Sequence, residues 1–222
     1  DGSESFTAHT IDGSFSGARS VYATDVDGDG DVDVLGAGQT VDDITWWEND
    51  GDENFTAHTI DGDFDRAFWV YARDLDADGD VDVIGTAVEA DDIAWWENDG
   101  DENFTKHLLD GDFDGAEKLH AADLDGDGDI DIAAAARGLN QFAWWENDGS
   151  GGFEPHVIGE LWGTVTVYLA DIDGDSDTDA AGMGYGGGIA WYENLALSGE
   201  GWQRTLVDRK STRLNSSHRY VS

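Results

Sequence analysis

The chain has 222 residues, enough for one substantial core, and a formal net charge of −39, which argues against nucleic acid and anionic membrane surfaces as partners. Hydrophobic residues make up 39% and include ten Trp, so this is not a disordered acidic tail. Cysteine is absent, which excludes disulfides, and no apolar run approaches the ~20 residues of a membrane span.

Taken in order, the chain first offers a short outer strand at Phe6–Ile11. A strand-like run at Arg19–Thr24 follows, then the acidic stretch Asp25-Val-Asp-Gly-Asp-Gly-Asp-Val-Asp33. Three more strand-like runs lie near Val32–Ala37, Asp43–Glu48 and Phe55–Ile60, with Asp/Gly/Asn turn clusters between them. The same order then repeats. The acidic stretch returns at Asp74–Asp82, Asp123–Asp131 and Asp171–Asp179, at spacings of 49, 49 and 48 residues. A Phe-x-x-His marker recurs at Phe6/His9, Phe55/His58, Phe104/His107 and Phe153/His156. A Trp-Trp-Glu-Asn marker recurs at Trp46–Asn49, Trp95–Asn98 and Trp144–Asn147, and as Trp191-Tyr-Glu-Asn194. Helical periodicity is not evident. Four strands per ~50-residue unit is the pattern of a propeller blade, so the sequence predicts an all-β chain, a β-propeller of about four blades of four antiparallel strands over residues 1–207. Adjacent residues of a strand point to opposite faces, so each Trp pair offers one large aromatic to each neighbouring blade.

Five carboxylates in nine residues repel one another, and a hard divalent cation relieves that; calcium takes six to eight oxygens. The candidate ligands are Asp25, Asp27, Asp29, Asp31 and Asp33 in the first loop and Asp74, Asp76, Asp78, Asp80 and Asp82 in the second. The third loop offers Asp123, Asp125, Asp127, Asp129 and Asp131, and the fourth Asp171, Asp173, Asp175, Asp177 and Asp179. Positions one, three and five can wrap an ion from one side, position seven can add its carbonyl, and position nine a further carboxylate. Gly at position six allows the turn; the fourth loop has Ser176 there. The alternative is a solvated acidic loop, against which four in-phase copies favour about four Ca2+ ions. An EF-hand is excluded, because position twelve holds Gly36, Gly85, Ala134 and Gly182 where Glu is required.

At Asp-x-Asp-x-Asp-Gly and Trp-Trp-Glu-Asn the chain resembles FG-GAP/VCBS-type repeat proteins. The resemblance implies a calcium-binding β-propeller related to the integrin α-subunit head and to some fungal lectins, one that usually closes seven blades. It implies metal ligation by Asp25, Asp27, Asp29 and Asp33 and their equivalents. With about four units present, part of a larger propeller is expected. Residues 208–222 break the pattern: they hold four Lys/Arg against one Asp/Glu, where residues 1–207 hold seven against 49. Asp208–His218 resembles a translated sequencing adapter, so a non-native tail on a truncated, metagenomic fragment is expected.

A residue repeated in every blade reads as scaffold, which sets aside the four Phe-x-x-His histidines as catalysts. The blade-specific residues are Arg66, Trp69, Arg73, Lys118, His120 and Arg137, a cationic and aromatic set suited to an acidic sugar or to offsetting the acidic scaffold. No catalytic residue is assigned. The expectation is a calcium-binding extracellular or cell-surface module for adhesion or for carbohydrate or protein binding, with no membrane insertion and with association through open blade ends. The rivals are a lectin with sugar sites between blades and a propeller-type polysaccharide lyase, for which His120 beside Lys118 or Arg137 is the one loose match.

Overall fold

A computed structural model describes residues 6–195 and 201–206. The adapter-like residues 208–222 lie outside that range. Sixteen strands form four separate four-stranded antiparallel sheets, each a meander in sequence order, and no helix occurs among the described residues. The first sheet is β1 (Ala18–Thr24), β2 (Asp33–Gly38), β3 (Asp43–Asn49) and β4 (Phe55–Asp61). The second is β5 (Ala67–Arg73), β6 (Asp82–Ala87), β7 (Asp92–Asn98) and β8 (Phe104–Asp110). The third is β9 (Ala116–Ala122), β10 (Asp131–Ala136), β11 (Gln141–Asn147) and β12 (Phe153–Glu160). The fourth is β13 (Thr164–Ala170), β14 (Asp179–Gly184), β15 (Gly188–Asn194) and β16 (Trp202–Leu206).

The first strands form the inner row: β1 packs beside β5, β5 beside β9 and β9 beside β13. The fourth sheet does not return to the first, so the blades form an open arc. The acidic stretches connect each first strand to its second, which places all four loops at one end of the inner row.

The second strands of the two middle blades, β6 and β10, lie between neighbouring blades and are buried on both faces, which explains small, continuous apolar runs such as Asp131-Ile-Ala-Ala-Ala-Ala136. The third strands carry the Trp pairs, and the pair divides as its alternation predicts. Trp46 packs forward on the second blade with Val26, Leu35, Ala37 and Ile44, while Trp96 of that blade packs back into the same cluster. Trp95 and Trp145 meet in the next interface, and Trp144 and Tyr192 in the third. In the first three blades a phenylalanine from the turn before the first strand stands edge-on against the backward-facing Trp: Phe15 on Trp47, Phe64 on Trp96 and Phe113 on Trp145, at 4.8, 5.0 and 5.1 Å between centroids. Gly36 is needed under the first of these, since a Cβ there would lie 2.7 Å from the Trp47 ring.

One expected strand is absent. Residues 6–11 are exposed and form no strand, since among the described residues no third strand stands ahead of β1 for them to pair with. At that end of the arc Phe15 covers Trp47, which is 6% exposed.

Candidate metal centres

Each acidic loop is shaped by its own backbone. Asp25, at position one, accepts the Gly28 N–H at 2.9 Å on Oδ1 and the Gly30 N–H at 3.0 Å on Oδ2. Asp27 accepts the Asp29 N–H, and Asp29 the Asp31 N–H, at 3.1 and 2.8 Å. The third and fourth loops repeat the bond from position four to position one, Gly126 N–H to Asp123 and Gly174 N–H to Asp171, each at 2.7 Å. In the second loop Ala77 stands at position four, and Asp74 Oδ1 is buried with no hydrogen-bond partner.

These turns bring carboxylates together. Asp25, Asp27 and Asp29 each place an oxygen within 4.8 Å of the others, and so do Asp74, Asp76 and Asp78, and Asp123, Asp125 and Asp127. Burial raises Asp27, Asp76 and Asp125 above the usual carboxylate range; one N–H bond opposes the shift and the neighbouring carboxylates add to it. None of the ion pairs among the described residues involves a loop aspartate. Clustered carboxylates with no cationic side chain, and with an orphaned oxygen on Asp74, fit a hard divalent cation.

Positions seven and nine stand apart from the first three clusters. Asp31 turns toward Gly51, where a Cβ would lie 2.4 Å from its Oδ2, and Asp80 and Asp129 approach Gly100 and Gly149 in the same way. Position nine is a backbone clamp. Asp33 is fully buried and accepts the Val26 N–H at 3.0 Å and the Asn49 N–H at 2.8 Å. Asp82, Asp131 and Asp179 repeat both bonds, at 2.8 to 3.0 Å. Burial outweighs those bonds at Asp82 and Asp131 and pushes both up to about 7.

The fourth loop is built differently. Its convergent set is Asp171, Asp173 and the buried Asp179, without Asp175. Ser176 holds φ 81°, a left-handed conformation that the glycines Gly30, Gly79 and Gly128 adopt at φ 98°, 102° and 105°. No glycine follows Asn194 to receive Asp177, and burial, with Asp175 beside it, pushes Asp177 up to about 6.

Three stretches of the chain, residues 25–85, 74–134 and 123–182, match the FG-GAP-like repeat family. The chain belongs to that family. Each match runs from one acidic loop into the second strand after the next loop, so the repeat overlaps two blades. The chain is also similar to the crystal structure of the V. cholerae biofilm matrix protein Bap1, at 18% identity and TM-score 0.44. That likeness covers 79% of this chain and 30% of Bap1. No curated protein matches.

The FG-GAP-like repeats also contain two devices that sequence reasoning passed over. The Asn of Trp-Trp-Glu-Asn joins neighbouring blades. Asn98 Nδ2 donates to Val81 O in its own loop and to Val26 O in the loop before, both at 3.3 Å. Asn147 does the same with Ile130 O at 3.0 Å and Leu75 O at 2.6 Å, and Asn194 with Thr178 O and Leu124 O. The Glu of that motif receives the repeated histidine: Nε2 of His58, His107 and His156 lies 2.8, 2.7 and 2.9 Å from Glu48, Glu97 and Glu146. Each of these rings also stacks on the forward Trp. His9 is exposed and has neither partner.

The blade-specific residues divide into two groups. Arg66 pairs with Glu89 at 2.5 Å and Arg137 with Glu117 at 3.4 Å. Trp69, Arg73, Lys118 and His120 line the inner row. Lys118 lies over the Trp69 ring at 4.7 Å and Arg73 over Tyr71 at 5.7 Å. Tyr22, Tyr71, His120 and Tyr168 occupy the same position of successive inner strands and form a continuous ring ladder, with centroids 4.5, 5.6 and 4.5 Å apart. Burial, and secondarily Arg73, lowers the His120 pKa. Arg137 is drawn to Glu117, which alternation sets on the face of β9 opposite His120.

Proposed function

We propose that the chain is a calcium-stabilised extracellular binding module of the adhesion type. The observation that supports it most is the convergence of three carboxylates in every loop with no cationic side chain to neutralise them. Asp25, Asp27 and Asp29, with their equivalents in the second and third loops, would hold the ion; the fourth site would draw on Asp171, Asp173 and Asp179. The ion supplies positive charge at the end of the inner row. The chain's own residues do the rest: position nine ties the loop to the third strand, and the Asn ties it to the next blade. The fold is thereby coupled to the ion.

Extracellular calcium modules bind at ~10⁻⁴–10⁻³ M. At roughly ten times the dissociation constant each site adds about 1.4 kcal/mol, so four independent sites add about 6. That is comparable with the ~5–15 kcal/mol of a whole domain. Calcium titration by calorimetry and melting in EDTA test this together. A steep fall in Tm in EDTA, reversed by excess calcium, is expected; an unchanged melt overturns the reading.

The ligand face is the inner row, where Trp69, Tyr71, His120 and Tyr168 present rings beside Lys118 and Arg73. Rings with flanking cations suit an acidic glycan or an acidic protein segment. Trp69→Ala should abolish capture on an array of uronate-bearing glycans while leaving the calcium response intact.

A further inference from the structure

Three departures from the repeat fall in one place. The residue that closes the first strand is Thr24, Arg73, Ala122 and Ala170 in the four blades. The ladder position is Tyr22, Tyr71, His120 and Tyr168, and position four of the loop is Gly28, Ala77, Gly126 and Gly174. Arg73, Ala77 and His120 all line one cavity of about 720 Å³, between the second and third loops at the end of the inner row. That volume is within the ~300–1,000 Å³ of small-molecule sites. Leu75, Val81, Ala121 and Ile130 supply its apolar lining. Apart from Thr24 of the first blade, every lining residue comes from the second and third, so the cavity is built at an internal junction. At the other two junctions the pair equivalent to Arg73 and His120 is Thr24 with Tyr71 and Ala122 with Tyr168. One junction of the three therefore sets a cation beside an imidazole.

The polar groups here are left open by the chain. Arg73 is exposed and, although Asp74 follows it, makes no ion pair among the described residues. His120 is held between Tyr71 and Tyr168, and its Nδ1 is buried with no hydrogen-bond partner. Burial, and secondarily Arg73, keeps that imidazole neutral at about pH 7, so one nitrogen can donate while the other accepts. Asp74, Asp123 and Asp129 add acceptors; the first two belong to the convergent carboxylate sets and Asp129 stands outside them. The lining thus carries both signs, and this selects among acidic ligands. An acidic protein segment suits Arg73 but brings like charge against three aspartates. A sugar acid brings one carboxylate and, on the same ring, hydroxyl donors for the aspartates.

We propose that the cavity between the second and third loops is a saccharide site for a uronate residue of an acidic glycan. The Arg73 guanidinium takes the carboxylate, for which its planar fork is suited; His120 and Asp129 take hydroxyls. This rests on the inner row being the ligand face, and it commits that face to one pocket and to glycan over protein. Trp69 and Lys118 lie two residues back along β5 and β9 from Tyr71 and His120, on the same faces and about 7 Å further from the loops. The next sugar of the chain would rest there, on the Trp69 ring beside the Lys118 ammonium.

Isothermal calorimetry on the full chain in saturating calcium tests this. The probes are oligosaccharides of galacturonate, glucuronate and mannuronate, their carboxyl-reduced neutral counterparts, and a poly-glutamate peptide. Uronate oligomers should bind, the reduced ones at least ~10-fold more weakly, and the peptide not at all. Arg73→Gln should weaken uronate binding ~10–100-fold, the range of a hydrogen bond to a charged group. His120→Tyr installs the residue that the other three blades carry and should weaken it ~3–10-fold, the range of a neutral bond. Both variants should keep the wild-type circular dichroism, since Arg73 is exposed and the ladder already holds Tyr at three places. Arg66→Gln removes the same charge at the opposite end of β5 and should leave the affinity unchanged. If Arg73→Gln binds like wild type while Trp69→Ala does not, the pocket is overturned and the inner row stands as the ligand face. Peptide binding without uronate binding has the same meaning. Binding of neither overturns both readings. Reduced oligomers that bind at full strength, or an equal loss in Arg66→Gln, also overturn the pocket, because the carboxylate or the position of the charge then does not matter.

Discussion

Asn147 provides the sharpest measure of how firmly neighbouring blades are joined. Its side chain is buried and makes three hydrogen bonds: to Leu75 O at 2.6 Å, to Ile130 O at 3.0 Å and from the Gly149 N–H at 3.1 Å. Asn147→Ala removes all three and leaves a buried carbonyl of the second blade without a donor. At about 1 kcal/mol per bond, with about 1 more for the orphaned Leu75 carbonyl, the loss is about 3–5 kcal/mol. Asn49→Ala is the internal control. Asn49 has the same motif and the same bonds within its own blade, to Val32 O and from the Gly51 N–H at 3.2 Å each, but no loop ahead of it. Water can replace both bonds, so about 1 kcal/mol is expected. The difference, about 2–4 kcal/mol, belongs to the bond that crosses blades and to its burial. Urea unfolding in saturating calcium, followed by Trp fluorescence, reads both values. Because stability in repeat architectures is a sum of unit and neighbour terms, Asn147→Ala should also split the transition in two. Equal losses from the two substitutions, or a loss below about 1 kcal/mol at Asn147, would refute the reasoning.

Ser176→Gly should stabilise the fourth blade by about 1 kcal/mol, because Ser176 holds φ 81°; a calcium-saturated melt that does not rise contradicts this. In EDTA, stability should fall as the pH rises from about 4 to about 7. Asp82 and Asp131, pushed up to about 7, hold protons in the folded chain that the unfolded chain releases near 3.8, so their contribution is complete below that value and is lost on the way up. His120, lowered by burial and then by Arg73, works the other way. A metal-free urea midpoint that climbs across this window refutes the assignment.

The blades were legible because the sequence states their rules redundantly. Alternating strands, turn residues and an acidic stretch recur in phase, so β1 to β4 fall within about two residues of where the spacing sets them. The Trp pair was legible too, since its two faces follow from period two alone. The roles of single polar residues were not. Asp33 and its equivalents sit in the same acidic run as Asp25, yet they are fully buried and bound by two backbone N–H groups; composition cannot separate an ion-facing carboxylate from a clamp. Asn98 reads locally as a turn residue, while its partner Val26 O lies 72 positions away. The stretch at residues 6–11 carries the strand pattern but lacks a neighbour, and a strand is a pairwise object.

The backward reach of the asparagines also sets an order in time. Asn98, Asn147 and Asn194 bond to residues 72, 72 and 70 positions earlier, so none of the first three loops is complete when its own residues have been made. During synthesis at ~5–20 residues per second, the loop at Asp25–Asp33 waits on the order of several seconds for the third strand of the following blade. Assembly is therefore vectorial, each new blade latching the one before it. Unfolding runs against that direction: losing a blade withdraws the asparagine that latches the loop of its predecessor.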